Sequence, residues 1–322
     1  MITHLVVPGL LGHLPRLQEY ESEIGALPRF PNLELLLSRA KQLPAPDGYA
    51  QTLFELFGAT VQDDADVPTA AVCYAAEAGT EPLQDIYLMH ADPVHLRADQ
   101  DRLLAFDFYH QPITIDEARQ FAEAFNRHFS EDGLRLLTPH ATRWYLAVEK
   151  QPMLRTRALG EVLGRNVDFF LPEGEDAGVW RSWMNELQML FHGLPVNQTR
   201  ESFGQLPVSG LWFSGGGSLP ADSMQGYSLC EGECILVDGL QRLSRVKRDL
   251  RLVVQQAPGR ALVDANPVLW VEAIQALDAE LEAYLRGELL LYPCEGSAWH
   301  WKPTMRRHFW KQRKALSNWL KP

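Results

Sequence analysis

The segment Val208-Ser209-Gly210-Leu211-Trp212-Phe213-Ser214-Gly215-Gly216-Gly217-Ser218-Leu219-Pro220 constrains the fold most. An apolar run enters three consecutive glycines and is stopped by proline, which reads as a buried strand opening into a tight loop. Glycine tolerates positive φ and lets another group approach the backbone closely. In an α/β protein, ligands sit at the carboxyl ends of central strands. The segment therefore predicts a binding site, without specifying chemistry.

Around it, strands alternate with helices of ten to twenty residues, the pattern of a mostly parallel sheet covered on both faces. Expected strands are 2–7, 69–75, 234–237, 250–255 and a last one at 289–292. Expected helices are 31–43 behind a cap at Asn32, 49–57 closed by Gly58, 179–191, 240–246, and one opened by Asn266-Pro267 that runs to Gly287. From about Ala76 the elements shorten. Strands at 86–90 and 103–108 flank a linker, Ala91 to Leu96. A capping box, Thr114-Ile115-Asp116-Glu117, opens a helix with Ala118, Phe121, Ala122 and Phe125 on one face, and strands follow at 134–137 and 143–148. The predicted organisation is a discontinuous core of 1–75 and 179–322, with an inserted α+β domain at 76–178.

At 322 residues the chain is long enough for two domains, and an apolar fraction of 46% places it among globular proteins. A formal charge of −11 argues against general affinity for nucleic acid or acidic membranes, though not against a local basic site. No run is apolar enough to span a bilayer, the start lacks a signal-peptide pattern, and four cysteines are too few for a disulfide framework. Cytoplasm is the expected compartment. After residue 301 the chain holds Lys302, Arg306, Arg307, Lys311, Arg313, Lys314 and Lys321 with no acidic residue, interleaved with Phe309, Trp310, Leu316 and Trp319. Such aromatics are costly to leave wet, so this tail is expected to dock on the body, the other readings being an acidic partner or nucleic acid.

Metal-dependent phosphoryl chemistry needs several Asp and His side chains at strand ends beside a hydroxyl nucleophile. The first strand ends in Pro8-Gly9 without a carboxylate. The last runs toward Glu295 and His300 without a recognisable ligand spacing, and Cys230 and Cys234 lack two further zinc ligands. No metal site and no cofactor are expected. Asp92 and His95 read either as a substrate-binding edge or as a capped turn, and Arg143 carries the same two readings. Asn197 and Arg200, just ahead of Gly215, Gly216 and Gly217, are the parts of an anion site.

The block Asn185-Glu186-Leu187, His192 to Asn197, Arg200 and Leu211 to Gly217 with Pro220 resembles the archaeal-type cofactor-independent phosphoglycerate mutases of the alkaline phosphatase superfamily. Ala91 to Phe108, Ile115 to Arg119 and Arg143 to Val148 look like the domain those mutases insert. With Ala91-Asp92-Pro93-Val94-His95-Leu96, the whole is similar to bacterial regulatory proteins of the RpfE type. The resemblance implies an alkaline-phosphatase-like α/β core with an inserted α+β domain. It also implies departures. The mutases carry Asp where this chain has Pro8-Gly9, and a nucleophilic Ser in Gly-Ser-Asp-x-Ala-His where this chain reads Asp47-Gly48-Tyr49-Ala50-Gln51-Thr52. Their metal-binding segments are replaced by Gln255 to Arg260 and by Cys294-Glu295-Gly296. Thr52 is the one substitute hydroxyl. The expected function is a non-catalytic or regulatory protein with a degenerate site that binds a small anionic or phosphorylated ligand. The alternative is a metal-dependent phosphomutase or phosphatase with rearranged ligands.

Overall fold

A computed structural model describes residues 1–12, 27–61, 65–78, 86–100, 102–221, 223–259, 266–308 and 310–320. Arg260, Phe309 and Lys321, which the sequence reading invoked, lie outside the described residues. In chain order the elements run β1 (Ile2–Val6), α1 (Pro31–Arg39), β2 (Lys41–Asp47), α2 (Tyr49–Leu56), α3 (Thr69–Glu77), β3 (Tyr87–Asp99), β4 (Arg102–Phe106), α4 (Ile115–His128), β5 (Leu134–Leu137) and β6 (Tyr145–Val148). There follow α5 (Leu159–Val162), α6 (Ala177–His192), α7 (Pro195–Ser202), β7 (Gly210–Gly217), β8 (Gln225–Glu231), α8 (Ile235–Leu243), β9 (Val246–Val254), α9 (Pro267–Tyr284), β10 (Leu289–Tyr292) and β11 (Glu295–Trp301). The chain divides into two compact units, Met1–Ala59 with Ser223–Pro322, and Thr60–Asp222.

The first unit is a six-stranded sheet in the order β2-β11-β10-β1-β9-β8. Strands β8, β9, β1 and β10 run parallel, while β11 and β2 add an antiparallel edge. Alternation along β1 turns Leu5 to one face, where Leu289, Leu291 and Val253 join it under α1 and α9 through Leu33, Leu36, Ile274 and Leu277. His4 lies on the other face, hydrogen-bonded to the Tyr227 hydroxyl at 2.9 Å, and the Tyr227 ring packs edge-on against Phe57 behind α2. Helices therefore cover both faces. Asp278 on α9 ties the layer together: its Oδ1 accepts from Leu33 N at 2.7 Å, in the first turn of α1.

The second unit is antiparallel, β4-β3-β6-β5, with β7 paired to β3. Its core gathers Phe121 and Phe125 of α4, Trp180 and Phe191 of α6, and Trp144, Leu146, Trp212 and Phe213 from the sheet. The capping box on α4 forms as expected, Thr114 Oγ1 accepting from Glu117 N while Thr114 N donates to Glu117.

Several expectations are corrected. Residues 69–75 are helix rather than strand. Thr-Ala-Ala-Val-Cys-Tyr-Ala-Ala is apolar at every periodicity, and its alanines favour helix. Residues 91–96 are the middle of a thirteen-residue strand, β3, so Asp92 and His95 stand on a sheet and not in a linker. The triple glycine is the end of strand β7 and not a loop. Asn32 does not cap α1; Phe30 does, and the Asn32 amide donates to Asp278 O instead. Residues 41–47 leave the helix for an edge strand, where Pro44 and Pro46 are tolerated. Cys234 caps α8 rather than opening a strand, and β8 and β11 were unforeseen. Helix α6 buries Trp180, Met184, Leu187 and Phe191 and leaves Val179 exposed. The compact units also part at 59/60 and 222/223 instead of 75/76 and 178/179, because β7 pairs with β3 and carries α6 and α7 with it.

Candidate functional site

Parallel strands bring their carboxyl ends to one edge, and in the first unit that edge collects the segments after β1, β8, β9 and β10. Gln255 N reaches Val6 O at 3.0 Å and Val7 N reaches Tyr292 O at 2.9 Å, which holds three of the exits together. Beyond β10 the backbone turns at Cys294, whose φ is +66°, and its carbonyl accepts from Gly48 N at 2.9 Å. Gly48 starts α2, so the first turn of that helix is delivered to the same edge. Thr52 is 1% exposed, and its hydroxyl donates to Gly48 O at 2.8 Å. The Tyr49 hydroxyl lies 2.8 Å from Cys234 Sγ and accepts from Gln256 Nε2 at 2.9 Å.

The thiol of Cys294 and the phenol of Tyr49 are held in their uncharged forms. Burial pushes the Cys294 thiol up to about 12, against a smaller opposing hydrogen bond from Thr52, and the carboxylates of Glu295 and Asp47 add to the push. Burial likewise drives the Tyr49 phenol far above its ordinary value, with Cys234 adding to it. A protonated thiol neither ligates a cation nor attacks as a nucleophile. Among the described residues, no three His, Cys, Asp or Glu side chains stand close enough together to hold a metal ion.

The other predicted site residues lie in the second unit. β7 pairs antiparallel with β3, setting Trp212 opposite Asp92 and Gly210 opposite Val94, with an irregularity near Leu88 and His90. The three glycines serve packing. Gly215 has φ +61°, and a Cβ there would collide with Thr69 Oγ1, while one on Gly216 would collide with the Tyr87 hydroxyl and one on Gly217 would meet Pro68 at 2.6 Å. The start of α3 is thus laid directly on the glycine run, and His90 Nε2 is 3.1 Å from Thr69 Oγ1 beside it.

Asn197 and Arg200 stand on α7, both buried. The Asn197 amide donates to Phe191 O at 2.8 Å and Val208 O at 2.9 Å, and its carbonyl accepts from Val208 N at 2.8 Å. Arg200 pairs with Glu117 at 2.9 Å, donates to Leu206 O at 2.9 Å and Gln111 O at 3.4 Å, and lies 5.3 Å over the Phe108 ring. Asn197 therefore holds the chain just ahead of β7, while the glycines end that strand. Seven residues of extended chain separate Val208 from Gly215, roughly 23 Å. The structure does not bring Asn197, Arg200 and the glycines to one groove.

Arg143 is ion-paired with Glu77, whose other oxygen accepts from the Tyr145 hydroxyl at 2.5 Å. His95 Nδ1 is 3.0 Å from Pro207 O. Asp92, half-buried, has its carboxyl pushed up to about 7 by burial and then by the charge of Asp107. Tyr49, Cys234, Cys294 and Gln256 escaped the sequence reading as a group. Some 185 residues separate Tyr49 from Cys234, so no spacing could have announced the contact.

No protein-family model matches the chain, and no curated protein matches it. Solved structures do. The cofactor-independent phosphoglycerate mutase of Thermoplasma acidophilum is similar at 16% identity and a TM-score of 0.47, over 98% of this chain and 93% of that one. The PH0037 protein of Pyrococcus horikoshii is similar at 13% identity and a TM-score of 0.53, over 94% of this chain and 87% of that one. The second likeness shows a shared α/β fold, combining a mostly parallel sheet with an antiparallel one.

Proposed function

We propose that this chain is a binding or regulatory protein on a phosphoglycerate-mutase-like scaffold, of the RpfE type that its motifs resemble, and that it does not transfer phosphoryl groups through bound metals. One observation carries the reading. At the carboxyl edge of the parallel sheet, where Asp, Ser and His would be needed, stand Pro8, Gly9, Tyr49, Thr52, Cys234, Gln256 and Cys294. Two carboxylates, Asp47 and Glu295, act on Cys294 at this edge, and among the described residues no three potential ligands gather. A pair of divalent cations then lacks charge compensation, and phosphoryl transfer loses its main electrostatic support. Thr52 donates its hydroxyl to Gly48 O, a backbone carbonyl that cannot act as the base a nucleophile needs.

The ligand of this edge is a small anion or phosphorylated compound, held by N–H groups in the first turn of α2, whose N-cap makes no side-chain hydrogen bond, and by neutral hydroxyl and amide donors. The test measures metal content after purification, phosphate release from 3-phosphoglycerate and from an aryl phosphate, and calorimetric binding of 3-phosphoglycerate and inorganic phosphate in EDTA. Expected are no stoichiometric Mn or Zn, no turnover, and anion binding that EDTA leaves unchanged. Stoichiometric metal together with turnover abolished by Thr52→Ala would overturn the reading. Absence of binding by either anion would remove its ligand half.

A further inference from the structure

The C-terminal tail is consumed by the fold, with Leu316 and Leu320 as anchors in the core of the first unit. The second unit holds a cavity of about 200 Å³ between its sheet and α6. The pleat of two paired strands makes the floor. β3 turns Val94 and Leu96 to one face, and β7 sets Gly210 opposite Val94, so no side chain fills the sheet there. Packing does not demand that glycine. A Cβ at Gly210 would meet Gln188 Cγ at 3.5 Å and Leu96 Cδ1 at 3.9 Å, ordinary contacts, whereas one at Gly215, Gly216 or Gly217 would collide. Trp212 and Met184 are buried in the lining, and the Trp212 indole N–H is satisfied by Arg157 O at 2.7 Å, which leaves apolar ring surface for the cavity. Two exposed charges of opposite sign, Asp168 and Arg181, complete the lining. Arg181 Nη2 donates to Pro172 O at 2.8 Å, which ties the guanidinium to the segment that carries Asp168 in the 3-10 turn Val167–Phe169. Among the described residues the two make no ion pair, and the Asp168 carboxylate accepts no hydrogen bond. A guanidinium has five N–H donors, so most of Arg181's remain for a ligand.

We infer that this cavity binds a free amino acid with a large apolar side chain, of the phenylalanine or leucine class. The side chain lies against Val94 and Trp212, the ammonium on Asp168 and the carboxylate on Arg181. Size agrees with this occupant. An apolar cavity of about 150 Å³ takes up benzene, so this one has room for a ring with its head group at the rim. Charge selects the head. An acid without an amine sets an anion against Asp168, and an amine without an acid sets a cation against Arg181, whereas a zwitterion answers both. A side chain offered by a peptide brings amides to the rim and leaves both charges unanswered. The site belongs to the second unit alone and uses none of the groups at the α2 edge.

The experiment is titration calorimetry of the full-length chain with L-phenylalanine and L-leucine at up to about 5 mM. In parallel, phenylpropionate, phenethylamine, N-acetylphenylalanine amide and L-alanine are titrated. L-phenylalanine should bind about tenfold more tightly than each of these, since the first three lose a charged hydrogen-bonding group and the last loses the buried ring. Asp168→Asn should weaken L-phenylalanine about tenfold and leave phenylpropionate no weaker, closing the gap between them. Arg181→Gln should close the gap between L-phenylalanine and phenethylamine in the same way. Both side chains are exposed, so circular dichroism and thermal midpoint should match the parent. No binding of either amino acid at that concentration, an analogue that binds as tightly as L-phenylalanine, or variants that keep the parent's preferences would each overturn the inference.

Discussion

Replacing Arg200 by alanine separates a residue that binds a ligand from one that holds the fold. The guanidinium is 1% exposed and serves Glu117, Leu206 O and Gln111 O. Breaking a buried ion pair by removing one partner costs about 3–5 kcal/mol. Here the Glu117 side chain keeps 18% exposure and its bonds from Thr114, so part of that cost is recovered and about 2–4 kcal/mol remains. With a urea dependence of about 2 kcal/mol per molar, the unfolding midpoint of the second unit should fall by roughly 1–2 M. Tryptophans occupy both units, so total fluorescence would blend them. Pulse-labelling hydrogen exchange across a urea series, read on peptides from 115–128 and 195–217, reports the second unit alone. A midpoint within about 0.3 M of the parent's would refute the structural assignment and return Arg200 to the ligand-binding reading.

Three further outcomes are expected. Gly215→Ala and Gly216→Ala each force a Cβ onto Thr69 or Tyr87, and Gly215 adds a positive φ. Each should cost about 1–3 kcal/mol by urea melts, whereas alanine at Gly178, which meets nothing within 4 Å and has no positive φ, should lose less. Asp92 has a folded pKa raised to about 7 from 3.8, so the native state holds its proton longer than the unfolded chain does. Its contribution is present below pH 4 and lost as pH rises through about 7. His90, lowered to about 4 by burial, works oppositely, costing stability as pH falls from 6.5 toward 4. The difference between parent and Asp92→Asn isolates the first effect: the variant should gain on the parent from pH 5 to pH 7.5 in urea midpoint, and parallel profiles would count against it. Deleting the anchors with Leu316→Ala should cost about 2–5 kcal/mol in the first unit, and an unchanged thermal midpoint would mean that the tail is not seated there.

What the sequence determined by itself is whatever local chemistry decides. The Thr114–Glu117 box, the Asn266-Pro267 start of α9, the helix closed by Gly58 and the amphipathic stripe of α4 need only neighbours within a few residues. The missing carboxylate after β1 was equally legible, since an absent residue type needs no coordinates. Tertiary structure alone decided the rest. Whether Thr69 to Glu77 became helix or strand depended on the glycine run it packs against, because an apolar, alanine-rich run satisfies either period. Whether Gly215 to Gly217 formed a loop or a strand depended on β3 supplying hydrogen-bond partners some 125 residues earlier in the chain. Arg200 reads as an anion ligand until Glu117 is placed beside it, and Tyr49 means little until Cys234 arrives from another strand exit. Long-range pairing consumes donors and acceptors that a sequence shows as free, and folding decides which remain for a ligand.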